Sequence, residues 1–368
     1  MTSLGRRRLT QIPAQVVVSV GVFLAVGSSL LLFAYNPFQD HIDGVPVPAR
    51  WVNGAVTWYL NPRTPKNNVD TTSGASIPDA LNSAFNIWQQ TQFKSQTLNN
   101  LTIVQGTPDS TLTTPNTSDC LNVVGFSDTS AADFPTGTIA FTEVATAALQ
   151  PGQSSSPCGV TNTTSGPVSF MIDADMEFNP NQKFSTSTPP LANSFDLQSV
   201  ASHEFGHLLG LDHSGIAHTM MFPFGDTGAN QQRNLAIDDV IGVASLYPSW
   251  QSLNNLTGDI SGTVTLSGTE AFAAHMVAID AATGNVVLDG LTNSDGTYKL
   301  FGVPTGTYHV LVLPLAPDVN SGVYTLDDFS GWACGYGENS APCCDPQTDP
   351  TTCTGKLQNP TNYTGKFF

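Results

Sequence analysis

Residues 203–213 read HEFGHLLGLDH, and no other stretch restricts the fold as tightly. The surrounding run Phe195–Leu209 spaces Leu197, Val200, Ala201, Phe205, Leu208 and Leu209 as the apolar face of a helix. On that helix His203 and His207 stand four residues apart, so both imidazoles leave from one face with Glu204 beside them. Gly210 follows three residues after His207. Glycine adopts left-handed backbone readily, so the helix can stop there and the chain turn back. The return brings His213 toward the same point. Three histidines on one ion leave a fourth tetrahedral position open, which suits a catalytic rather than a closed structural zinc. Zinc lowers the pKa of a water it holds to about 7, and Glu204 is placed to take that proton and pass it to a leaving amine. Met221 stands eight residues past His213, with Met220 beside it.

The rest of the first 248 residues reads as strands and few helices. Ala55–Leu60, Leu101–Val104, Leu121–Phe126, Gly137–Val144 and Val168–Phe178 are strand candidates by their β-branched and aromatic content. Ile77–Thr91 is an amphipathic helix carrying Ile77, Leu81, Phe85 and Trp88 on one face, and Ile237–Leu246 is a further helix. Residues 145–167 read as a Ser/Thr/Gly-rich loop holding Cys158, and Trp250–Asn255 as a linker. From Gly258 short strands alternate with Gly, Asn and Asp turns, the grammar of a small all-β sandwich. Residues 316–368 form an acidic, Cys-rich tail in which Cys334, Cys343, Cys344 and Cys353 have no connectivity readable from sequence.

The N-terminus sets the compartment. Arg6, Arg7 and Arg8 precede Val16–Tyr35, an uncharged run of about 30 Å at 1.5 Å per residue, so residues 1–35 are expected to be a signal peptide or an N-terminal membrane anchor. Either way the remainder is placed outside the cytoplasm, secreted or tethered. Six cysteines suit an exported chain, and Cys120 with Cys158, the two that precede residue 250, are expected to pair. Twelve basic against 29 acidic residues give a formal charge of −17. A polyanion partner needs basic patches, so nucleic acid is excluded as an expected ligand.

The motif SHEFGHLLGLDHS (202–214) resembles the matrixin branch of the metzincin peptidases. MMFP (220–223) is similar to that family's methionine turn and specificity-pocket wall, which implies that Met221 is the soft apolar floor beneath the metal, with Met220 competing for the role; IDDVIGVASLYP (237–248) is similar to its C-terminal helix, paired Asp238 and Asp239 included. The resemblance covers roughly residues 45–248 and implies an α+β catalytic domain: a twisted mixed sheet, an active-site helix and a cleft along an edge strand, for which Gly137–Val144 is the candidate. Two departures stand out. Animal matrixins hold a second, structural zinc through upstream histidines, whereas this chain has no histidine between residues 42 and 202. No cysteine precedes Cys120 to block the metal in a propeptide. Asp173 and Asp175 remain possible calcium ligands, although acids alternating along a strand more often form a solvated face. His41, His275 and His309 are expected at the surface. Within 257–315, DGTYKLFGVPTGTYHVLVLP resembles the carboxypeptidase regulatory-like, transthyretin-like β-sandwich.

Together these readings predict a monomeric, exported zinc metalloendopeptidase acting on protein or peptide substrates. His203, His207 and His213 would hold one catalytic zinc and Glu204 would act as general base. The rival reading is a surface or adhesion protein whose metzincin domain is inactive.

Overall fold

A computed structural model gives the fold and describes residues 16–20, 36–43, 45–63, 68–112, 115–126, 134, 137–155, 158–315 and 366–367. Most of the expected leader and the tail with its four cysteines lie outside the described residues. Within that expected leader, Val16–Val20 forms β1. Among the described residues no helix is long and apolar enough to cross a membrane.

The first layer is a twisted mixed sheet. Its strands are β2 (Gln39–Ile42), β3 (Val45–Arg50), β4 (Ala55–Leu60), β5 (Thr102–Gln105), β6 (Asn122–Phe126), β7 (Ala140–Leu149) and β8 (Val168–Phe178). β8 runs through the middle, parallel to β3 at one end and to β6 at the other, with β4 and β5 continuing beyond β6. β7 lies antiparallel on the far side of β8 and has no other strand partner among the described residues, so it is an edge. The edge runs further than the sequence suggests: Ala145–Leu149, read there as loop, continues the strand past a register shift at Ala145/Thr146. A shift of this kind lets a strand bend without losing its partner.

Helices cover one face of the sheet. α1 (between Ile77 and Gln89) starts at Ser76, whose hydroxyl accepts the Asp79 amide, and buries Leu81, Phe85 and Trp88. α2 (Leu197–Leu208) starts at Asp196, whose carboxylate accepts the Ser199 amide and pairs with Arg233. The helices lock together where Phe85 stacks on Phe205 at 4.0 Å and where the Trp88 indole donates to the Ser202 carbonyl at 3.0 Å. The α2 position anchors the site to the core.

α3 (Ile237–Leu246) has apolar residues on two sides. Val243 and Leu246 enter the core beneath the sheet, while Val240, Ile241 and Ala244 enter a second core. The expected linker is instead helix α4 (Trp250–Leu256), fixed because Leu253 is fully buried in that second core. Beyond it come β9 (Thr257–Leu266), β10 (His275–Asp280), β11 (Val286–Leu291), β12 (Thr297–Pro304) and β13 (Tyr308–Leu313). β9 pairs with β12 and β1 in one sheet, and β10 lies between β11 and β13 in the other. Val264 and Leu300 from the first sheet meet Met276, Leu288 and Val312 from the second.

Candidate metal centre

α2 ends where the sequence places its stop. Gly210 sits at φ +98°, and a side chain there would run into the Ala49 carbonyl at 2.6 Å. The reversed chain then brings His213 back against the helix. The imidazoles of His203, His207 and His213 lie with ring centroids 4.7–5.2 Å apart, and one ligand atom from each lies within 4.8 Å of the others. Among the described residues this is the one group able to hold a metal ion.

The donor chemistry fits zinc. Nδ1 of His203 lies 2.7 Å from the Met220 carbonyl and Nδ1 of His207 lies 2.9 Å from the Leu211 carbonyl. A carbonyl only accepts, so each ring carries its hydrogen at Nδ1 and leaves the Nε2 lone pair free for a cation. Burial keeps both rings neutral: the His203 pKa is pushed down to about 3, with the neighbouring His213 adding to the effect, and that of His207 is well below its ordinary value for the same reasons. Neutral imidazole is the metal-binding form.

Glu204 is buried beside the rings, and burial raises its pKa to about 7. Thr142 opposes that rise. Its hydroxyl, on edge strand β7, sits 2.8 Å from a Glu204 carboxylate oxygen and 3.0 Å from the Glu204 backbone carbonyl. Thr142 has no motif of its own, so nothing in the sequence marks it.

Both candidate methionines have a part. Met221 packs its sulfur under α2, where a Cβ on Gly206 would approach it to 2.2 Å. Met220 contributes its backbone, as acceptor for His203. The turn is held from α3: Asp239 accepts the amides of Met220 at 2.9 Å, Met221 at 3.1 Å and Ala236 at 2.7 Å. Burial raises the Asp239 pKa to about 6 against those bonds.

A cleft of 710 Å³ opens over the rings. Gly137–Thr142 form one wall and Phe222–Gly225 the other, with Phe38 stacked on His207 at 5.6 Å. Phe38, ahead of the sheet, gives no sign of this role in sequence.

The remaining expectations divide. Cys120 and Cys158 form a disulfide. Asp173 and Asp175 do not make a solvated face. Both are fully buried, because residues 116–123 cover them: Asp173 accepts the Cys120 amide at 2.6 Å, and Asp175 accepts Asn116 at 2.5 Å and Val123 at 2.7 Å. His309 is exposed as expected, but His275 is 2% exposed and hydrogen-bonded to Asp289. The sequence shows no partner for it because that partner lies on the adjacent strand.

An imidazole triad with a glutamate on the same helix, at the foot of a cleft edged by a β-strand, has the layout of a metallopeptidase site. Residues 126–248 match the family model described as Matrixin, and this part of the chain is a matrixin domain. Metalloendoproteinase 2-MMP of Arabidopsis thaliana is 37% identical over 106 residues, which are 29% of this chain and 28% of that protein. Metalloendoproteinase 1 of Glycine max is 47% identical over 58 residues, 16% of this chain and 19% of that protein. Karilysin of Tannerella forsythia is 44% identical over 55 residues, 15% and 11% of the two chains. The matched stretches thus span less than a third of each relative.

Proposed function

We propose that the protein is a zinc metalloendopeptidase, with His203, His207 and His213 holding the metal. The observation that carries this reading is the convergence of the three imidazoles beside Glu204 at the base of the cleft. Bound zinc supplies Lewis acidity to water and to the scissile carbonyl. The chain's own residues do the rest. The exposed edge of β7 pairs with an extended peptide through main-chain hydrogen bonds, which fixes the orientation of the bond to be cut. Glu204, with its pKa about 7, takes a proton from water and returns it to the leaving amine. Thr142 orients that carboxylate through its 2.8 Å hydrogen bond. Phe38 and the Phe222–Gly225 segment shield the site from bulk solvent.

Export belongs to this reading, supported by the arginines ahead of the apolar N-terminal run. The strands after residue 257 are assigned to a regulatory-like β-sandwich on the strength of their two-sheet core. Backbone amides occupy both Asp175 oxygens and one Asp173 oxygen, which leaves a single buried Asp173 oxygen without a hydrogen-bond partner and no set of oxygens that calcium would need. The test is hydrolysis of a casein-type substrate with and without a chelator. Activity should vanish on chelation, return with zinc, and be absent in Glu204→Ala. Full turnover by that variant overturns the mechanism.

A further inference from the structure

The loop that carries His213 is built from two sides, and one side belongs to the β-strand unit. α3 holds the methionine turn through Asp239. The opposite support is Asp289 of β11, fully buried. One of its carboxylate oxygens accepts the Gly215 amide at 2.8 Å and lies 2.6 Å from His275 Nε2, while the other lies 3.2 Å from the Ser214 hydroxyl, which Asp238 of α3 also engages. Ser214 and Gly215 directly follow the third histidine, and the Ser214 amide in turn donates to the Met221 carbonyl at 2.8 Å. The Asp289 amide donates to Asp238 on α3 at 3.2 Å, tying the strand to the helix as well. The approach is close: a Cβ on Gly215 would lie 2.8 Å from both the Asp289 carboxylate and the His275 ring.

We infer that Asp289, held by His275, is a positioning residue of the metal centre, so that the β-strand unit completes the site. This inference rests on the zinc reading given above. A carboxylate that accepts the Gly215 amide and lies against the Ser214 hydroxyl fixes the path of the chain that aims this ligand. Groups behind metal ligands of this kind set metal affinity and activity. A free β-strand spacer would have no reason to bury a His–Asp pair against the metal-binding loop.

The experiment compares full-length wild type with Asp289→Ala, Asp289→Asn and, as a control, Val264→Ala, which truncates the β-unit core in its other sheet. Zinc affinity is measured by chelator competition, the site geometry by the visible spectrum of the Co²⁺-loaded chain, and kcat and KM separately. Asp289→Ala should weaken zinc binding about tenfold or more, with kcat falling while KM holds. Its Co²⁺ spectrum should change, and Asp289→Asn should fall between it and wild type. Val264→Ala should lower the melting temperature yet keep wild-type affinity and spectrum. If Asp289→Ala does not fold, Asp289→Asn carries the comparison. The inference is overturned if the Asp289 variants bind zinc as wild type does, or if Val264→Ala loses affinity in step with its melting temperature. A wild-type chain that binds no zinc overturns the zinc reading and this one with it.

Discussion

At the scale of single residues, the site depends on where hydrogen bonds end. Two backbone carbonyls fix the tautomers of His203 and His207, and one hydroxyl orients Glu204. Thr142→Val is nearly isosteric and removes the hydroxyl alone. A hydrogen bond to a charged group contributes about 1.5–3 kcal/mol, so the variant should lose about tenfold or more in kcat with little change in KM. Thr142 lowers the Glu204 pKa, so its loss should also move the acid limb of the kcat profile to higher pH. An unchanged profile in steady-state assays across pH would exclude the contact from the reaction. His203, His207 and Glu204 are legible in sequence because helical spacing places them, and His213 because Gly210 turns the chain back. Thr142 and Phe38 are not, since each reaches the site from a separate segment.

At the scale of elements, segment 116–123 is fastened to β8 by Asp173 and Asp175, and to the loop that precedes β8 by the Cys120–Cys158 disulfide. Burial raises the pKa of Asp173 to about 6 and of Asp175 to about 7. The folded state therefore holds protons that the unfolded chain releases near pH 4. The stabilising effect is complete below that pH and disappears as pH rises through 6 and 7. Asp175→Asn removes the titration, so the melting temperature of wild type minus that of the variant should fall between pH 5 and 8. Calcium bound there would reverse the trend and raise the wild-type midpoint at pH 7.5, which thermal melts with and without the ion would reveal. Alternation along β8 reads as a half-solvated strand in sequence. It is buried because a loop, which no periodicity announces, closes over its acidic positions. The length of β7 is hidden for a similar reason, since its second half resembles the loop that follows.

At the scale of the whole molecule, α3 joins what the sequence presents as separate domains. Its period predicts a helix, but only the assembled structure shows that Val240, Ile241 and Ala244 face a second core. A helix shared by two cores couples their unfolding. Calorimetry should show a single transition for residues of both units, with van't Hoff and calorimetric enthalpies equal. Two resolved endotherms would show the units to be independent.

The shared helix also bears on synthesis. A chain emerging N-terminus first has displayed all three histidines, Glu204 and Met221 by the time Pro248 appears. At that moment one flank of α3 has nothing to cover it and Asp289 has yet to be made. Domains form as their residues emerge, at about 5–20 residues per second. If Asp289 positions His213 as inferred, the metal-binding loop gains that support only once the strands through Leu313 have been made, after every other residue of the site has emerged.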